Sequence, residues 1–104
     1  MTQIEAVLGL AAKAGKVVAG TAGVEAAIKR KQVMIVICAG DLSPKTIKNL
    51  RYRCEQNAIR FACYGSREEL GHYTGRPGRG IFGITSAEFA KALGSLLNNG
   101  GEEP

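Results

Sequence analysis

The feature that most constrains this chain is an unbroken apolar run, Val33-Met34-Ile35-Val36-Ile37-Cys38-Ala39. It is rich in β-branched residues, lacks polar alternation and is too short to stand as a helix between its neighbours. Such a run reads as a strand covered on both faces, at the centre of a sheet with helices above and below. The flanking sequence must then supply the covers.

It does so by alternation. Thr2 and Glu5 form a capping-box pair, Ile4, Val7, Leu8, Ala11 and Ala14 recur at helical spacing, and Gly15 is a stop signal. Lys16 to Ala19 reads as a short strand, Gly20 as a hinge, and Thr21 to Lys31 as a helix with Val24, Ala27 and Ile28 inward. After the central run, Gly40-Asp41-Leu42 is a loop, and Ser43 with Pro44 opens a helix to about Asn57. Ile47, Leu50, Cys54 and Ala58 define its inner face, while Lys45, Lys48, Arg51 and Arg53 lie mostly outside. Arg60 to Tyr64 is a second buried strand, and Ser66-Arg67-Glu68-Glu69 is another capping box, opening a helix with Leu70 and Tyr73 inside. Gly75 to Gly80 is the most loop-like stretch, Ile81 to Thr85 a further strand, and Phe89, Ala90, Leu93, Leu96 and Leu97 stripe the last helix. The order predicts an α/β chain in which a sheet is sandwiched between helical layers, with some parallel strand pairs. One domain is expected over residues 1–97, followed by an acidic flexible tail at 98–104.

Composition narrows the partners. The 104 residues carry a formal charge of +5, and two of the nine acids, Glu102 and Glu103, stand in the Gly-rich tail. The folded part is therefore more basic than the total, as suits a polyanion partner such as RNA or DNA. Cys38, Cys54 and Cys63 form no Cys-x-x-Cys pair and each falls in an apolar pattern, so they are expected to be reduced core residues, with no disulfide frame or metal site. The one histidine, His72, has no partner pattern, and the chain shows no Walker loop, nucleophile turn or carboxylate pair. The Gly15, Gly20 and Gly23 spacing does not match the dinucleotide fingerprint. No apolar run reaches membrane-spanning length, and Met1 to Glu5 lacks the basic start of a secretory signal. A cytoplasmic protein that is not an enzyme, needs no cofactor and has no membrane partner is expected.

Binding signals are stronger. Gly20 and Thr21 open a helix whose first turn holds Ala22 and Gly23, with Lys16 upstream. Free N–H groups at a helix start with little bulk over them make a seat for phosphate. Arg76 and Arg79 stand on a loop freed by Pro77 and its glycines, and arginine forks suit phosphates and base edges. Gly20, the Asp41–Ser43 loop and the helix start at Arg67 are expected to share one end of the sheet.

These residues also carry a resemblance. Leu8-Gly9-Leu10-Ala11, Ala14-Gly15-Lys16-Val17-Val18-Ala19-Gly20, Ala39-Gly40-Asp41-Leu42-Ser43-Pro44, Cys54 and Ser66-Arg67-Glu68-Glu69-Leu70-Gly71 with Gly75 follow in the order and spacing of the kink-turn-binding ribosomal-protein family. The chain resembles that family (L-seven-Ae / L-thirty-e) over roughly residues 4–97 and is most like its small bacterial YlxQ-like members. The resemblance implies a three-layer α/β/α sandwich with a four-stranded mixed sheet. It also implies binding of kink-turns, sharply bent helix–bulge–helix RNA elements with tandem sheared G·A pairs, in ribosomal or regulatory RNA. The resemblance carries over to Gly20, Thr21, Arg67, Arg76 and Pro77, and with the reading of the residues above it gives Lys16, Gly20, Thr21, Ala22, Gly23, Arg67, Arg76, Pro77 and Arg79 as the expected RNA-binding residues, with Ile81 and Pro77 offering an apolar surface to an extruded base. Ribosome or ribonucleoprotein association, a role in translation and a monomeric free state are expected with it. Stronger RNA binders of the family carry Asn, Glu and Lys on the second helix where this chain has Ala22, Gly23 and Ala26. That difference keeps open an alternative, a protein-interaction module of the same fold that has lost kink-turn recognition.

Overall fold

The computed structural model describes residues 2–100, with side chains through Leu97. Five helices and four strands alternate: α1 (Gln3–Lys13), β1 (Val17–Ala19), α2 (Thr21–Lys29), β2 (Ile35–Cys38), α3 (Pro44–Gln56), β3 (Arg60–Cys63), α4 (Arg67–Thr74), β4 (Ile81–Ile84) and α5 (Ala87–Gly100). The last helix runs beyond the expected boundary at 97, and residues 101–104 of the expected tail lie outside the described residues.

The strand order is β1-β4-β2-β3. β4 pairs antiparallel with both β1 and β2, and β2 pairs parallel with β3 in the register Ile35 to Arg60 through Cys38 to Cys63. α1 packs against α4 and α5, with α5 on β4, while α2 covers β1 and β4 and α3 covers β3. The result is the expected α/β/α sandwich with a mixed sheet. All four residues of β2 and all four of β4 are buried, as two covered faces require. Phe82, Leu8, Ile35, Ile37, Leu70, Ile84, Leu93 and Leu97 are the largest side chains fully enclosed.

Local chemistry sets the helix ends. Thr2 and Ser66 each accept from the backbone of the third helical residue, and Glu5 and Glu69 return the bond to the cap, completing both capping boxes. The Ser43 hydroxyl accepts from Thr46 N–H, with Pro44 in the first turn of α3. Three details depart from the sequence reading. Ala58 is exposed at φ 54°, because the chain leaves α3 through a left-handed residue and Ile59 takes the inward place, its N–H on the Cys54 carbonyl at 2.8 Å. Met34 is 45% exposed although its N–H continues the ladder to Ile84. Thr74, not Tyr73, is the buried residue at the end of α4, its hydroxyl donating to the Leu70 carbonyl at 2.7 Å.

The thiols are free. Burial pushes the Cys54 thiol up to about 11 and raises Cys38 further, with the Cys63 sulfur 3.3 Å away adding to the shift. Neither is a ready thiolate at neutral pH.

Candidate nucleic-acid interface

β1 ends at Ala19, and the chain turns into α2 through Gly20 at φ 89°, ψ 156°. That conformation is essentially reserved for glycine. Gly20 is pinned by its N–H on the Ile81 carbonyl at 2.9 Å, while its own carbonyl accepts from Val24 at 3.0 Å. The consequence is a helix N-terminus with no side-chain cap. Among the described residues, each of the other four helices has a Ser or Thr oxygen on an N–H of its first turn: Thr2, Ser43, Ser66 and Ser86. The start of α2 leaves that position to solvent or to a ligand, and Thr21, Ala22 and Gly23 above it are exposed.

Arg79 lies over this start. A methyl built on Gly20 would stand 3.0 Å from Arg79 Nη1. The loop that carries Arg79 is not loose, as its glycines suggest, but held on α4. Arg76 N–H bonds the Gly71 carbonyl at 2.9 Å, Arg79 N–H bonds Arg76 O at 3.2 Å, and the loop backbone crosses the Cα of Gly71 closely enough that a Cβ there would meet Arg76 O at 3.1 Å and Pro77 Cα at 3.2 Å. Gly80 then joins the sheet end, its carbonyl accepting from Ala39 N–H at 2.8 Å.

The third wall comes from the loop after β2. Gly40 N–H bonds the Gly65 carbonyl at 2.8 Å, and Arg67 N–H donates to Asp41 Oδ1 at 3.0 Å. Asp41 thus caps α4 from a distant loop and fixes where the Arg67 side chain starts. Gly20, Thr21, Leu42, Thr46, Arg67, Gly78, Arg79, Gly80 and Ile81 enclose an open recess of about 250 Å³. Among the described residues, its charged lining is two arginines and no carboxylate.

The nine residues inferred from sequence therefore divide. Gly20, Thr21, Arg67 and Arg79 line the recess. Ala22 and Gly23 stand on the exposed first turn of α2 beside it. Arg76 and Pro77 are exposed on the loop that packs against α4. Lys16 is elsewhere: its carbonyl accepts from Thr85 N–H at the start of β1, four residues from Gly20 and roughly 13 Å along the strand. Ile81 is buried and meets the recess from its floor. Leu42 and Thr46 belong to the lining as well and were not among the nine; the signal that points to them is the Ser43–Pro44 cap, which turns the first turn of α3 toward this end of the sheet. Among the described residues no group of three or more His, Cys, Asp or Glu is placed to hold a metal ion, and no helix is long and apolar enough to cross a membrane.

Five helices over a four-stranded mixed sheet in the order β1-β4-β2-β3 make this a three-layer α/β/α protein. The chain belongs to the Ribosomal protein L7Ae/L30e/S12e/Gadd45 family, whose model matches residues 2–94. It is 33% identical over 91 residues to the RNA-binding protein YlxQ of Bacillus subtilis (strain 168), covering 88% of this chain and 91% of that one. The RNA-binding protein YlxQ of Enterococcus faecium is 31% identical over 90 residues, covering 86% of each. A solved structure of a protein with unknown function from Bacillus halodurans C superposes with a TM-score of 0.90 at 31% identity, covering 94% of this chain and 99% of that one.

Proposed function

We propose that this chain is a non-enzymatic, cytoplasmic RNA-binding protein that grips kink-turn-like structured RNA, ribosomal or regulatory, as a free monomer with a role in translation. The observation that carries the reading is the uncapped start of α2 lying beneath Arg79 and beside Arg67 in a recess lined, among the described residues, by no carboxylate. N–H groups at a helix start take phosphate oxygens, and arginine forks supply the countercharge. The family membership and the names of the two relatives support RNA as the polyanion.

With Ala22, Gly23 and Ala26 on the exposed face of α2, base edges go largely unread there, so discrimination comes from the shape of a bent backbone and affinity falls steeply with salt. The test is a titration of a labelled kink-turn RNA and a straight control with its G·A pairs disrupted, from 50 to 200 mM salt. The bent RNA is expected to bind more tightly, and Arg67→Ala and Arg79→Ala each to lower the salt slope by about 1. Negligible retention of both RNAs at low salt removes the RNA reading. Equal, measurable binding removes the kink-turn. The small exposed face at Ala22, Gly23 and Ala26 favours a second reading, a protein-interaction module, which a ribonuclease-resistant partner lost on Ala26→Glu would support.

A further inference from the structure

A second groove opens beside the recess. Residues of α2 and α3 enclose about 380 Å³ lined by Thr21, Thr46, Asn49, Leu50, Tyr52 and Arg53. That is within the roughly 300–1,000 Å³ that small ligands occupy. Thr21 and Thr46 line both spaces, so the groove adjoins the recess.

Its walls have an unusual chemistry for a protein surface. Tyr52 is 62% exposed, against 58% for Leu10 and 45% for Met34, the other large hydrophobic side chains left open among the described residues. Among the described residues, neither its hydroxyl nor the Asn49 amide makes a hydrogen bond. Asn49, Leu50 and Arg53 lie on one face of α3 by helical spacing, so an amide, an apolar floor and a cation are presented together. Glu25, the one acid lining the groove among the described residues, is 3.7 Å from Arg53, which offsets its charge locally. A phosphate gains little from such a site. A neutral flat ring with a donor–acceptor edge fits it better: the ring against Tyr52, the edge on the Asn49 amide, which matches the N6/N7 side of adenine.

We infer that the α2–α3 groove is a subsite for one unpaired adenine of the same RNA whose backbone enters the recess, stacked on Tyr52 and read by Asn49. This rests on the reading of the recess as a phosphate seat. The groove contributes base selectivity that the bare face of α2 lacks.

The experiment is a double-mutant cycle with the full chain. A labelled kink-turn RNA with a short single-stranded adenosine extension is made abasic at each unpaired position in turn, and each version is titrated with wild type, Tyr52→Ala, Tyr52→Phe and Asn49→Ala. Tyr52→Ala should weaken the intact RNA by about 5- to 150-fold, one abasic position should weaken wild type equally, and the two changes together should cost no more than either alone. Tyr52→Phe should bind within about twofold of wild type, since the ring stacks and the hydroxyl is unpartnered. Uracil at that position should lose most of the Asn49 effect. Additive losses, or equal affinity of Tyr52→Ala and wild type for every RNA, overturn the subsite while leaving the recess reading intact. Absence of binding by wild type overturns both. A ribonuclease-resistant protein partner lost on Tyr52→Ala with RNA affinity unchanged gives the groove to a protein and overturns it as well.

Discussion

Two glycines three residues apart at the start of one helix, the cap residue Gly20 and Gly23 in the first turn, should respond oppositely to the same methyl group. Gly20 sits at φ 89°, ψ 156°, where L-residues are strained, and a Cβ there would approach Arg79 Nη1 at 3.0 Å. Holding a non-glycine residue in that region costs about 1–3 kcal/mol. The arginine is the far end of a flexible side chain, so it moves aside cheaply, and the backbone term dominates. Gly23 has helical geometry and nothing within 4 Å of its would-be Cβ. There Ala removes freedom from the unfolded chain and gains helix propensity, worth about 0.4–1 kcal/mol of stabilisation. Urea unfolding of Gly20→Ala and Gly23→Ala should therefore move the midpoint down and up respectively, with m unchanged. In melting temperature, each kcal/mol is about 4–8 °C for a domain near this size. The double variant should be close to the sum, unless the shared turn couples them. If Gly20→Ala unfolds within about 0.3 kcal/mol of wild type, the positive φ is not required by the fold, and the argument that glycine creates the uncapped helix start fails.

Two further outcomes can be checked on the same protein. Gly71→Ala would put a Cβ 3.1 Å from Arg76 O and 3.2 Å from Pro77 Cα, both backbone. Overpacking costs about 1–3 kcal/mol against the roughly 1 kcal/mol Ala gains in a helix, and because the opposing atoms are backbone tied to Gly71 by the Arg76 N–H bond they yield little, so a lowered urea midpoint and faster amide exchange at Arg76 are expected. The pH dependence of stability should show the thiols. Cys54 rises from 9.0 to about 11 on folding, so the folded state holds its proton longer than the unfolded one. Stability from this group is full below pH 9 and is lost as pH rises toward 11, by roughly 2–3 kcal/mol. Cys54→Ala, compared by urea titration at pH 7 and pH 10.5, should start less stable and lose correspondingly less on going alkaline; an unchanged difference between the two pH values contradicts the burial argument.

Much of the fold was legible in short segments because the forces that set it there are local. A capping box needs only Thr2 with Glu5 or Ser66 with Glu69, and a doubly covered strand announces itself in Val36 and Ile37. Gly20 was readable as a hinge for the same reason, since one residue without a Cβ marks one unusual turn. Ala58 was misread because helical periodicity continues past the point where the backbone turns left-handed, and only Gly or Asn normally signals that stop.

Which segments meet is another matter. The sequence determined the alternating elements, their caps, the basic surplus and the two glycine-rich basic stretches. Only in the assembled sheet does β4 insert between β1 and β2, and this insertion brings Arg79 over Gly20. The tertiary structure also decided that Leu42 and Thr46 join the recess and that Tyr52 stands open beside it. Strand order is fixed by how all the apolar faces are covered at once, a sum over residues far apart in the chain. No local pattern encodes that sum.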